Sequence, residues 1–164
     1  MKPFLFYFLT LWGILWIQMA NHHYLGGLGV SVDVIFIVVL YFGLTRGPLS
    51  AQLLGFVWGL LIDAAALGTL GEYAFLLAGT GYLSGMLRRQ LDESKIWTQS
   101  IFSGTISILY LMLSLGLERL FSGSHRPFSG LLWLQPLVHA VVAPFIFALM
   151  QWWCSIWALF PEER

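Results

Sequence analysis

Six long apolar runs, separated by short polar breaks, order this chain. They occupy residues 4–20, 26–44, 48–66, 71–87, 96–121 and 137–160. The last has an alternative start at Leu131, with Pro136 and Pro144 as bending points. Each is near the ~20 residues that cross a bilayer as a helix. In hydrocarbon the backbone must satisfy its own hydrogen bonds, so runs of this length predict helices rather than strands. The longest polar breaks, 88–95 and 122–130, are too short to hold a soluble domain. The pattern predicts an all-α membrane protein with one polytopic domain over residues 1–164 and no internal repeat. The first run follows Lys2 and lacks an A-x-A-like site after it, so it is expected to stay as an uncleaved helix.

Composition strengthens this assignment. Hydrophobic residues make up 59% of the chain and charged residues 10%, against roughly 25% charged in soluble domains. Net charge is zero, which removes any electrostatic case for nucleic acid. A single cysteine, Cys154, excludes an internal disulfide and reads as a small packing residue.

Lys and Arg placement sets the expected orientation. With the amino terminus in the cytoplasm, the inner face carries Lys2, Arg46, Arg88, Arg89, Lys95 and Arg164, and the outer face Arg119 and Arg126. The bias favours both termini inside.

On this topology the acids gather toward the outer side. Asp33 falls about two turns into the second helix, Asp63 ends the third, Glu72 opens the fourth, and Glu118 and Arg119 close the fifth. Acids within a span usually face the bundle and find a partner. Arg119 is the expected partner for Asp63 or Asp33. Asp33, Asp63, Arg119 and His139 thus form a candidate intramembrane polar cluster. It is either a pocket or docking point, or an ion pair that orients helices.

Small residues mark a second set of candidates. Gln52, Gly55, Gly59 and Asp63 share one face of the third helix, and Ala74, Ala78, Gly81 and Gly85 share one of the fourth. Gly55, Gly59, Gly81 and Gly85 therefore predict a close-packed hairpin. The alternative is that one stripe receives a helix from another protein. The fifth helix carries Ser100, Ser103, Ser107, Tyr110, Ser114 and Glu118 on one face. The sixth carries Gln135, His139 and Ala143, with His139 read as a hydrogen-bonded packing residue. Trp12, Trp16, Trp97, Trp133, Trp152, Trp153 and Trp157 read as interface anchors.

No reaction is written in these motifs. There is no GxSG with a partner histidine, no GxGD, no Walker lysine motif and no HExxH. His22, His23 and His125 fall in loops away from His139, so no metal-ligand spacing arises. The expectation is no catalytic residue, no cofactor and no metal.

One block carries a family resemblance. It runs Arg46-Gly47-Pro48, then Gly55-Phe56-Val57-Trp58-Gly59-Leu60-Leu61-Ile62-Asp63, then Gly68 to Gly71. With Val138 to Phe147, which contains Pro144, this resembles MreD, the integral membrane subunit of the bacterial cell-elongation machinery. The chain departs from the family pattern in lacking a proline before Asp33 and in placing His139 where asparagine is common. The resemblance implies a non-enzymatic scaffold in the inner membrane that binds MreC and supports peptidoglycan synthesis and rod cell shape. RodA with its transpeptidase, and MreB, belong to the implied wider complex. It also implies a bundle of six transmembrane helices similar to the substrate-binding subunit fold of energy-coupling-factor transporters. That likeness supplies the alternative, a vitamin-binding transporter subunit.

Overall fold

A computed structural model describes residues 2–25, 32–65, 71–91, 95–121 and 130–157. The described residues form six α-helices in the expected order: α1 Lys2–Leu25, α2 Val34–Arg46, α3 Pro48–Ala65, α4 Glu72–Leu87, α5 Ile96–Phe121 and α6 Gln135–Ile156. Single 3-10 turns, Arg88–Gln90 and Gly130–Leu134, follow α4 and precede α6. Among the described residues, three helical stretches are long and apolar enough to cross a membrane, Pro48–Ala65, Ile96–Phe121 and Leu132–Ile156.

The second helix departs most from the sequence expectation. It begins at Val34, so Asp33 is its N-cap rather than a residue two turns inside it. Residues 26–31, the rest of the predicted span, lie outside the described residues. With 13 residues α2 is about 20 Å long, short of the ~30 Å hydrocarbon core. Every residue from Val34 to Leu44 is buried. A helix apolar all round belongs in the centre of a bundle, and α2 is packed against α1, α3, α4 and α6.

A one-residue corner turns α2 into α3. Gly47 adopts φ +92°, where glycine avoids the Cβ clash of other residues. Its N–H bonds the Gly43 carbonyl at 3.1 Å, and its own carbonyl accepts from Ala51 at 3.2 Å. Pro48 opens α3, where a missing N–H costs nothing. Pro136 plays the same part in α6: it stands in the first turn and starts the helix instead of bending it, while Pro144 lies inside.

Two tight hairpins flank α2. In the first, α3 and α4 press backbone to backbone. In the second, α5 packs on α6, and a Cβ placed at Gly104 would stand 3.2 Å from Ala140 Cβ. At the cytoplasmic end by the proposed topology, Phe6 of α1 stacks with Trp153 and meets Phe42 and Trp157 edge-on.

Candidate functional site

The four candidate glycines of the hairpin, Gly55, Gly59, Gly81 and Gly85, each meet the backbone of the opposite helix. A Cβ at Gly55 would lie 2.5 Å from the Leu77 carbonyl oxygen, and one at Gly81 would lie 2.5 Å from that of Ala51. At Gly59 it would run into Ala74 Cα, and at Gly85 into Pro48 Cα. Both stripes are thus turned toward each other within this chain. Gly43 of α2 was not among the sequence candidates, yet a Cβ there would overlap the Ser84 side chain of α4. Its signal was a single Gly-x-x-x-Gly pair with Gly47, which the corner at Gly47-Pro48 overshadows.

Asp63 closes the open end of that hairpin. It is buried at the end of α3, and its carboxyl oxygens accept from three backbone N–H groups. These are Gly71 at 3.0 Å, Tyr73 at 3.1 Å and Ala74 at 3.0 Å. The first N–H groups of a helix have no partner within it. Asp63 supplies one for α4 from outside, as an N-cap would. The physical need is local: Gly71, the residue at the N-cap position, has no side chain to do so and stands at φ +98°. This corrects the expected ion pair. Asp63 is committed to the start of α4, and Arg119 is exposed near the end of α5, unpaired with either aspartate. The carboxyl gains three charge-assisted contacts at the turn, which outweighs reaching across the bundle to a solvated guanidinium.

A second polar knot forms at the start of α2. Asp33 Oδ1 caps its own helix by accepting from Phe36 N–H at 3.2 Å, and Oδ2 accepts from the Tyr110 hydroxyl of α5 at 3.1 Å. The backbone N–H of Asp33 donates to His139 Nε2 of α6 at 2.9 Å. The next N–H, of Val34, donates to Gln18 Oε1 of α1 at 3.0 Å. His139 is fully buried, and its ring stacks on Phe36 with centroids 5.2 Å apart. Ser107 Oγ lies 2.6 Å from His139 Nδ1, and Ser103 Oγ donates to the His139 carbonyl at 3.3 Å. The hydroxyl stripe of α5 therefore meets the histidine face of α6, and both reach the buried end of α2. Asp33 and His139 are brought together; Asp63 and Arg119 stand apart from them.

The chemistry open to this knot follows from its wiring. Serine, histidine and aspartate side by side suggest a nucleophile and its base. Here Nε2 accepts from a backbone N–H, so the neutral ring carries its proton on Nδ1 and donates to Ser107. A ring wired this way cannot take the serine proton. The Asp33 carboxyl orients Tyr110 and its own helix, not the imidazole. The geometry holds three helices to a fourth; it does not activate an attacking group. Among the described residues no group of three His, Cys, Asp or Glu side chains is arranged to hold a metal ion.

Several sequence readings meet the structure elsewhere. Trp12, Trp16, Trp97, Trp133 and Trp152 are exposed, as anchors in an interface would be. Trp153 is different: its indole N–H donates to Thr10 Oγ1 at 3.1 Å and joins α6 to α1. Thr10 and Gln18 were missed because one hydroxyl or amide in an apolar run has no visible partner in sequence. His125 lies outside the described residues, and His22 and His23 fall within α1 rather than in a loop. Cys154 is buried among the core residues.

The comparisons with known proteins add one positive result. A family model described as "rod shape-determining protein MreD" matches residues 1–153. No curated protein and no solved structure matches.

Proposed function

This chain belongs to the MreD family of rod shape-determining membrane proteins, and from that premise we propose that it is a non-enzymatic scaffold of the cell-elongation machinery. On this reading it spans the cytoplasmic membrane six times, keeps both termini inside, and binds MreC directly. RodA with its transpeptidase, and MreB, form the wider assembly. The observation that carries the reading is the work done by Asp33, Asp63 and His139. These buried polar groups, which a reaction or a ligand would need, satisfy helix ends within the bundle. They support a structural role rather than a chemical site.

The vitamin-transporter reading loses its support on the same ground. It needs polar side chains converging on an outer cavity. His139 is taken up by the Asp33 backbone N–H, the Asp33 carboxyl by Phe36 and Tyr110, and Asp63 by the start of α4, while Arg119 is exposed near the end of α5.

The test is depletion in a rod-shaped host together with affinity purification after mild solubilisation. The expected result is rounded cells and recovery of MreC with the tagged chain. Rods that persist after full depletion, with vitamin uptake lost, would overturn the scaffold assignment in favour of transport.

A further inference from the structure

The hairpins α3–α4 and α5–α6 are each locked by glycine contacts, but the seam between them is not. A cleft of about 130 Å³ separates α4 from α5, with Leu76, Gly79 and Thr80 on one wall and Ile106, Tyr110 and Leu113 on the other. A Cβ at Gly79 would meet nothing within 4 Å, although one at Gly81 or Gly85 on the same helix would strike backbone. So α4 gives its tightly packed face to α3 and leaves the α5 side loose. Facing atoms that are missing across a gap forfeit their dispersion energy. Behind the cleft α5 is tied to α2, which itself packs on α4: the Tyr110 hydroxyl donates to Asp33 Oδ2, and the Tyr110 ring lies 4.8 Å from that of Phe36. Tyr110 therefore belongs both to the cleft wall and to the knot at the start of α2.

We propose that the α4–α5 seam is the moving joint between these two hairpins, and that the Tyr110–Asp33 hydrogen bond is the catch that holds it closed. Two hairpins that are rigid within themselves move, if they move, as bodies, and open a loosely packed contact between them. Here His139 keeps α6 on the start of α2, so a swing of the α5–α6 hairpin about that contact opens the cleft and gives up the Tyr110 hydrogen bond. The inference stands independently of the scaffold reading.

Distances between spin labels in lipid nanodiscs test it, in a Cys154→Ser background. The pair Tyr82→Cys with Met112→Cys spans α4 and α5; the pair Val57→Cys with Tyr82→Cys spans α3 and α4. All three label sites are exposed. The α4–α5 pair is expected to give the broader distribution. Tyr110→Phe, which keeps the ring and removes the catch, should raise the longer-distance population about fivefold to tenfold. Asp33→Ser keeps an N-cap but is too short to reach Tyr110, so it should do the same, and it serves if Tyr110→Phe does not fold. Thr10→Val, which removes the Trp153 bond between α1 and α6, should leave the α4–α5 distribution unchanged. The proposal is overturned by an α4–α5 distribution as narrow as that of α3–α4. It is equally overturned if the seam ignores both catch variants or widens as much with Thr10→Val.

Discussion

His139 accepts a hydrogen bond from the backbone N–H of Asp33 at 2.9 Å, across 106 residues of chain. An apolar helix has met a histidine because its first N–H groups are buried in the bundle and need an acceptor there. The same need explains Asp63 at the start of α4. Two buried acids that look like functional charges are thus helix caps, and the helix that one of them caps also recruits a ring from α6.

If His139 serves as an acceptor for that N–H and a donor to Ser107, its replacements should rank by what they can offer. His139→Leu leaves a buried N–H and a buried hydroxyl without this partner, a loss of about 1–3 kcal/mol for each such group. His139→Asn retains an acceptor and a donor and should lose less. Thermal unfolding in detergent, followed by intrinsic tryptophan fluorescence, gives the order. Equal stability of the two variants would remove the hydrogen-bonding role.

Removing the Asp63 carboxyl should unfasten the first turn of α4. Asp63→Ala is expected to lower stability by about 2 kcal/mol or more, since a lost cap costs 0.5–2 and stranded N–H groups add to it. The double change Asp63→Ala with Arg119→Leu should recover nothing, because no ion pair joins them. Recovery in the double variant, read by folded yield and melting temperature, would restore the ion-pair account.

The glycine stripes should tolerate no added carbon where backbone faces backbone. Gly59→Ala is expected to cost about 1–3 kcal/mol by forcing α3 from α4, and Gly59→Leu more. Gly79→Ala on α4 should be neutral or slightly stabilising, as its Cβ enters open space. The contrast is read from melting temperatures of the purified proteins. A Gly59→Leu protein that folds normally yet no longer retains MreC would assign that face to the partner.

The corner at Gly47 depends on a positive φ rather than on space. A Cβ there meets only the Arg88 side chain, at 3.8 Å, but the backbone at φ +92° is one that L side chains rarely adopt. Gly47→Ala should therefore cost about 1–2 kcal/mol, visible as a lowered unfolding midpoint. An unchanged midpoint would show that the corner relaxes freely.

Topology is checked by labelling from outside. In a Cys154→Ser background, cysteines at His23 and Gly130 should react with an impermeant reagent in intact cells, and one at Gln90 should not. Reaction at Gln90 would invert the orientation and move both capped helix ends to the cytoplasmic side.

Much of this protein was legible in its sequence because a bilayer imposes simple demands. Long apolar runs must be helices, so the class and order of six helices follow from hydropathy. Arg46-Gly47-Pro48 announces a corner, since only glycine fits the left-handed bend and proline suits a helix start. The stripes of Gly55, Gly59, Gly81 and Gly85 show where two backbones could approach. The start of α2 and the partners of Asp33, Asp63 and His139 were not legible. In a membrane helix both faces are apolar, so periodicity does not mark which side is buried or where the helix stops. A carboxyl goes to whichever donors the fold places beside it. For Asp63 these lie 8 to 11 residues ahead in the chain, and for Asp33 they include Tyr110, 77 residues away. The close pairing of α3 with α4 decided the first, and the packing of α5 and α6 at the start of α2 the second, because it is packing that brings those donors within 3 Å or so and leaves Arg119 outside.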